Sequence, residues 1–311
     1  MIRNYRIAQF GSLFSDGIEW APSMTRAERR KFRQRMFRET LAQHAGRLVA
    51  DIRRLVGGGR DLPQALDFFL RSAMIRQAGL PTLDDVRAVP DGLAGVITDL
   101  APDALLEGYG SGFFPRWILG QATWWSPAMR HVREPDAERL AALRKQTGVG
   151  DAGFCVKLDR DFEDVAAACA RANSLSPAAL HAFARMHDQG FTHCFSVRDR
   201  TGRLVAGGFG VASGRIYATE SVFETVPGAL ALGLATLDAH LADWQYRLHE
   251  MHSEGLTQDE MATLGFRQMA REPFVLLCAA SQNGGCPGRW SAAEDVPLAD
   301  AFRREVAKSA A

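Results

Sequence analysis

The sequence predicts an α+β protein in which a mixed sheet is flanked by helices, and three observations carry that prediction. A β-hairpin is written into residues 203–223: one run from Arg203 to Val211, a turn at Ser213-Gly214, and a second run from Arg215 to Phe223. Helical spacing of apolar residues recurs at Asp161 to Ala172, Pro177 to Gln189 and Ala229 to Asp243. Short strand-like runs lie before, between or after these helices, at Phe154 to Leu158, His193 to Arg198, Tyr246 to His252 and Phe274 to Ala279. Hairpin strands interleaved with helices call for a sheet whose faces the helices cover.

The N-terminal quarter has a different texture. From Thr25 to Arg54, apolar positions such as Phe32, Met36, Leu48 and Ile52 recur among many arginines, which suits one or two amphipathic helices; Thr25 with Glu28 supplies a capping box. Gly57-Gly58-Gly59 ends that segment, and Leu62 to Gln77 reads as a further helix with Pro63 in its first turn. From Thr82 the chain changes again. Ala101-Pro102-Asp103 starts a helix, and Trp117 to Pro127 reads as a Trp-rich loop. The expected organisation is a helical extension over residues 1–80, a small domain over 81–150 and the sheet-bearing domain over 151–311.

Bulk properties narrow the function classes. With 311 residues, 47% hydrophobic and 23% charged, the chain can bury a sizeable core, which excludes a disordered protein. A net charge of +1 gives no global attraction to nucleic acid, so any such contact must come from a local patch. The five cysteines are scattered, with no C-x-x-C pair, and read as reduced thiols of a cytoplasmic protein; no stretch has the ~18–20 apolar residues of a membrane span, and the N-terminus lacks a secretory h-region.

Several runs together resemble a known family. PDGLAGVITDLAPDALLEGYGSGFFP (Pro90 to Pro115), WWSP (Trp124 to Pro127), AFARMHDQGFTHCFSV (Ala182 to Val197), LVAGGFGVASGRIYATESVF (Leu204 to Phe223) and ATLGF (Ala262 to Phe266) resemble, in order and spacing, the leucyl/phenylalanyl-tRNA-protein transferases. The resemblance implies a GNAT-like catalytic domain preceded by a smaller one, with aminoacyl-tRNA as co-substrate and no cofactor or metal. The acceptor it implies is the N-terminus of a protein or peptide that begins with lysine or arginine, with a small-molecule amine as the alternative. A monomer is expected. A GNAT protein that uses acetyl-CoA carries a Q/R-x-x-G-x-G/A loop, and the corresponding Thr225 to Ala231 segment does not fit it, which favours an aminoacyl ester over a thioester.

The chemistry needs an uncharged amine, a positioned ester and something to handle protons. Glu220 resembles the family glutamate near the substrate amino group. The family's Asp-Cys-Gln triplet aligns with Glu250-Met251-His252, and alternation along a strand points Glu250 and His252 to one face. His252 is then a candidate base or proton shuttle and Glu250 its orienting partner; the same two residues also fit a solvated strand end. His249-Glu250-Met251-His252 lacks the helical H-E-x-x-H spacing, so no metal is expected.

Phe209, Val222 and Phe223 are candidates for the aminoacyl pocket, or else plain core. Trp117, Trp124 and Trp125 are candidates to stack on the terminal adenosine. Arg116 stands where the family has a tryptophan, and Asn173-Ser174-Leu175-Ser176 stands where the family has Thr-Trp-Ile. Arg30 and Arg33, within the arginine-rich run, are candidates for tRNA phosphates, and His187 and His193 read as structural. Two other functions fit the same residues: a GNAT-fold acyltransferase acting on a small molecule from a thioester donor, and a non-catalytic tRNA-binding relative.

Overall fold

The computed structural model describes residues 25–56, 79–88, 91–147, 153–252, 256–285, 288 and 290. The helix expected at Leu62 to Gln77 and its Gly57-Gly58-Gly59 stop lie outside the described residues.

The chain begins with two helices, α1 (Arg26–Met36) and α2 (Leu41–Val56). The capping box is present: Thr25 accepts from the Glu28 amide, and the Glu28 carboxylate accepts from the Thr25 amide at 2.8 Å. Ion pairs tie α1 to the body: Arg33 reaches Glu163 at 2.9 Å and Asp188 at 2.6 Å, and Arg29 reaches Asp188 at 3.0 Å.

A small antiparallel sheet follows, built from β1 (Leu93–Val96), β2 (Phe114–Ile118) and β3 (Gln121–Trp125) in the order β1-β3-β2, with α3 (Pro102–Gly110) between its first two strands. The expected Trp-rich loop is therefore a hairpin. Its two-residue turn needs positive φ at both positions; Gly120 adopts that freely, while Leu119 (φ 49°) is held there by its amide donating to Asp51 of α2. Trp124 packs against α3 where Gly108 lacks a side chain, since a Cβ there would sit 2.2 Å from the indole.

The large sheet comprises β4 (Met129–Arg133), β5 (Cys155–Leu158), β6 (Thr192–Arg198), β7 (Leu204–Ser213), β8 (Ile216–Glu224), β9 (Leu248–Met251) and β10 (Arg267–Ala270), in the order β10-β4-β9-β8-β7-β6-β5. Among the described strands only β8 and β9 run parallel. Their crossover is α7 (Ala229–Asp243), an apolar helix buried along most of its length, as a parallel connection requires. Helices α4 (Glu138–Thr147), α5 (Phe162–Asn173), α6 (Pro177–Asp188), α8 (Gln258–Thr263) and α9 (Arg271–Ala280) complete the described fold, a mixed sheet flanked by helices.

Two findings differ from the expectation. Phe274 to Ala279, read as a strand, lies in α9; a short apolar run does not distinguish a buried strand from one face of a helix, and here only Phe274 and Cys278, four apart, are buried. The sheet also takes in β4 from the 81–150 segment, where Val132 pairs with Glu250 and Arg133 with His249. The segment ahead of residue 150 thus supplies a strand next to the one that carries the acid and imidazole.

Candidate functional site

β8 and β9 lie side by side, and each delivers functional groups by a local irregularity or by simple alternation. In the pairing of β7 with β8, Phe209 faces Ser221 and Gly210 faces Thr219, so Glu220 is the extra residue of a β-bulge. Gly210 permits this, because a Cβ there would lie 2.3 Å from the Ala218 carbonyl oxygen. The bulge turns the Glu220 side chain into a cleft. On β9, Glu250 and the following His252 share the face toward that cleft, while His249 points to the opposite face.

The groups on the cleft side form a chain of alternating charge. Arg130 of β4 donates to Glu250 Oε1 at 2.5 Å, Glu250 Oε2 lies 2.9 Å from His252 Nε2, and His252 Nδ1 lies 2.8 Å from Glu220 Oε1. The Tyr109 hydroxyl of α3 donates to the same Glu220 oxygen at 2.5 Å. Phe114 stacks on the His252 ring with centroids 3.8 Å apart. Glu250 is 2% and His252 6% exposed, so these groups face neither bulk water nor a solvated turn.

Electrostatics follow from this arrangement. Burial pushes the Glu250 carboxyl up, but Arg130 and His252 outweigh it and bring it down to about 2. Burial likewise disfavours the charged form of His252, yet Glu250 and Glu220 more than offset that and raise it above its usual range. Burial and the neighbouring Glu220 keep Tyr109 a neutral phenol, its hydroxyl held well above its usual value. Both nitrogens of His252 face carboxylates, so the ring is an imidazolium donating twice. In its protonated form the ring has no lone pair with which to accept a further proton. Glu220 is the better placed acceptor: both its hydrogen bonds among the described residues fall on Oε1, which leaves Oε2 for the cleft.

The cleft holds about 470 Å³ of space, counting its open mouth. Its floor carries Glu220 and His252; its walls include Phe114, Trp117, Leu175, Phe183 and Phe209, with Arg116 beside them. Ser174, in a left-handed conformation after α5, and Ser176, the N-cap of α6, form part of the rim.

Of the expected pocket residues, Phe209 lines the cleft, whereas Val222 and Phe223 are buried in the cores on either side of the sheet. Trp117 and Arg116 reach the cleft. Trp124 and Trp125 do not: both are core, Trp124 against α3 and Trp125 with its indole N–H donating to Thr123 at 2.8 Å, so no ring face is offered for stacking. Arg33 is corrected too, because its guanidinium is buried in the pairs with Glu163 and Asp188, while Arg30 remains exposed. His187 and His193 are interior, bonded to the Thr192 carbonyl and to Asp159.

Tyr109, Arg130, Phe114 and Phe183 do not stand out in the sequence. Tyr109 offers a weak signal, a hydroxyl-bearing aromatic between two glycines beside a predicted helix. Arg130 offers none, because its partner lies 120 residues away. Among the described residues no group of three or more histidine, cysteine or acidic side chains is arranged to hold a metal.

An apolar cleft floored by the Glu220 carboxylate and the His252 imidazole, with the Glu250 carboxylate buried behind the ring, on an α+β sheet, has the groups a group-transfer enzyme needs to bind an apolar acyl group and handle an amine's protons. Comparison with known proteins identifies which one. The family model described as leucyl/phenylalanyl-tRNA protein transferase matches residues 138–279. Leucyl/phenylalanyl-tRNA–protein transferases of Maridesulfovibrio salexigens and Anaeromyxobacter sp. are 32% and 34% identical to this chain. The alignments cover 65% and 69% of it, and 87% and 92% of those relatives. The relative from Pseudomonas fluorescens is 32% identical over 63% of the chain and 87% of its own length. The chain belongs to the leucyl/phenylalanyl-tRNA–protein transferase family. A solved structure, the C-terminal domain of a putative lysylphosphatidylglycerol synthetase from Agrobacterium fabrum, matches over 53% of this chain and 67% of its own at 10% identity, with a TM-score of 0.35.

Proposed function

We propose that this protein transfers leucine or phenylalanine from aminoacyl-tRNA to the α-amine of an acceptor protein or peptide, with Glu220 as the group that receives the amine. The observation that carries the reading of the site is the free oxygen of Glu220 over an apolar cleft, its other oxygen fixed by Tyr109 and His252. A carboxylate held on one side by two donors is oriented in advance, so little ordering remains when an ammonium arrives.

The reaction needs no redox step and no external activation, because the ester is already activated. The amine nitrogen forms a bond to the ester carbonyl carbon, and the bond from that carbon to the ribose oxygen breaks. Of the two protons the nitrogen sheds, one goes to the leaving ribose oxygen and the other to solvent. Glu220 accepts the first as the ammonium becomes a nucleophile. His252, charged and flanked by carboxylates, balances Glu220 before transfer and stabilises negative charge that develops beside it. Phe209, Phe183, Phe114 and Trp117 supply an apolar wall suited to the side chain of leucine or phenylalanine.

Aminoacyl-tRNA brings a polyanion to the cleft. Arg30, Lys31, Arg35 and Arg38 on and just after α1 are exposed and of one sign, and Arg33 ties that helix to α5 and α6, whose junction rims the cleft. This stripe serves as an electrostatic contact for tRNA phosphates. A cytoplasmic setting, where charged tRNA is available, agrees with the free thiols of Cys169, Cys194 and Cys278. Among the described residues no helix is long and apolar enough to cross a membrane.

A thioester donor is the competing chemistry, and one feature speaks against it. The Glu224 carboxylate accepts from the Leu230 amide at 2.8 Å, so an acidic side chain already occupies the N-terminus of α7, where a phosphate would compete with it. The deciding experiment offers 14C-labelled leucine and phenylalanine on charged tRNA, and labelled acyl-CoA in parallel, with a peptide beginning in lysine or arginine as acceptor. Label should move from tRNA alone. Transfer from acyl-CoA, or none from charged tRNA, would refute the reading.

A further inference from the structure

Arg130 and Glu250 are the members of the charge chain that do not line the cleft, and the surroundings of Arg130 are unusual for an arginine. It is buried on β4, with Nε on Glu250, Nη1 donating to the Gly112 carbonyl at 2.9 Å and to Ser126 Oγ at 3.3 Å, and Nη2 3.3 Å from His252 Nε2. Its guanidinium carbon lies 4.3 Å from the centre of the Phe274 ring and 5.0 Å from that of Phe114, so aromatic faces shield it from water. Burying a guanidinium to this depth is costly unless the charge is used.

The geometry shows what it is used for. Glu250 has two oxygens: Arg130 takes Oε1 and His252 takes Oε2. The four charges then alternate in sign from Arg130 through Glu250 and His252 to Glu220, and they sum to zero inside the protein. We propose that Arg130 is a positioning residue of the transfer reaction: by engaging one oxygen of Glu250 it leaves the other for His252, and so fixes the imidazolium that orients Glu220 in the cleft. This rests on the transferase reading for its consequence in turnover, but not for the coupling between the four charges.

The titratable groups that face the imidazole are Glu250 on β9, Arg130 on β4, Glu220 on β8 and Tyr109 on α3. His131 on β4 and Cys278 on α9 feel the Glu250 charge from outside the chain. Removing the Arg130 charge takes a cation away from His252, so the ring should hold its proton to higher pH. Removing Glu250 as well takes away an attracting anion, so the titration should fall back.

The test is a cycle of four proteins, wild type, Arg130→Met, Glu250→Gln and the double variant, with Arg130→Lys as the conservative control. Each is labelled with 15N-histidine, and the His252 signals, assigned by their loss in His252→Gln, are followed against pH. The midpoint should lie higher in Arg130→Met than in wild type, and higher in the double variant than in Glu250→Gln. Arg130→Lys should keep the wild-type midpoint. Single-turnover transfer from charged tRNA should fall on the order of 10- to 100-fold in Arg130→Met, with little change in apparent affinity for tRNA, and recover in part in Arg130→Lys.

If Arg130→Met does not fold, Arg130→Gln takes its place in the same titration and turnover comparisons with Glu250 present. Equal midpoints across both comparisons in folded proteins would overturn the proposal, as would full turnover by Arg130→Met. A wild-type protein that moves no amino acid from tRNA, while the midpoints shift as stated, would instead refute the transferase reading and leave the coupling intact.

Discussion

The two faces of β9 carry two acid–imidazole pairs of opposite design. On the cleft face, His252 lies between two carboxylates with a single arginine behind one of them, and its proton is held to higher pH than usual. On the other face, His249 Nδ1 donates to Asp238 at 2.6 Å and its Nε2 lies 2.7 Å from the Thr219 hydroxyl, while Arg133 and Arg139 share the same Asp238 carboxylate at 2.7 Å. There burial, unbalanced by the carboxylate, brings His249 below its usual range. Thr219, His249 and Asp238 have the order of a nucleophile, base and acid, but all three are fully buried and none lines the cleft. An acid–imidazole contact is therefore no site in itself. Access to a cleft and the local balance of charge separate the pair that opens on the cleft from the pair that clamps β8, β9 and α7 together.

The sharpest way to break this contrast is at Glu220. Glu220→Gln keeps the shape but removes the charge that meets the amine, and transfer should fall roughly 10²- to 10³-fold with the fold retained. A steady-state rate within a few-fold of wild type would show that the cleft pair is as inert as the sealed one. The converse change, Asp238→Asn, strands Arg133 and His249 without their shared anion. Stability in urea should drop by about 3–5 kcal/mol, as for other broken buried pairs, while turnover per folded molecule stays within about twofold.

The pH dependence of stability sharpens the comparison further. Glu250 is lowered on folding, from an ordinary 4.5 to about 2, so its contribution is complete above the ordinary value and is lost as pH falls through the folded one. His252 is raised on folding from 6.5, so its contribution is complete below that value and is lost as pH rises through its higher folded value. The cleft chain thus stabilises the fold most between 4.5 and 6.5, and Glu250→Gln should flatten the acid side of a urea-midpoint profile. The smallest effect belongs to α1. Replacing Arg30, Lys31, Arg35 and Arg38 by alanine should flatten the dependence of log affinity for tRNA on log salt, by about 0.7–0.9 for each phosphate no longer neutralised, and leave the chemical step unchanged.

What is readable in the sequence divides along physical lines. Local chemistry is legible: the Thr25-Glu28 capping box, the start of α6 at Pro177, the β7–β8 hairpin, and the shared face of Glu250 and His252 by alternation. Features set by distant partners are not. β4 reads MRHVR, and no periodicity reveals that Arg130 and Arg133 are interior, because their acids come from β9 and α7. The bulge at Glu220 is invisible without the opposing strand, although the neighbouring glycines hint at close approach. Trp124 and Trp125 look like exposed aromatics of a loop because Leu119 does not advertise a turn; in the fold its amide donates to Asp51 of α2.

The claim that one face of β9 reacts and the other only holds is tested most directly by a side-by-side single-turnover measurement. His252→Gln and His249→Gln would each be mixed in excess with leucyl-tRNA and acceptor peptide, and the rate of label transfer normalised to folded protein. The cleft-side variant should be slower than wild type on the order of 10²-fold, and the other within about twofold. Equal losses in the two, or a larger loss on removing His249, would contradict the assignment.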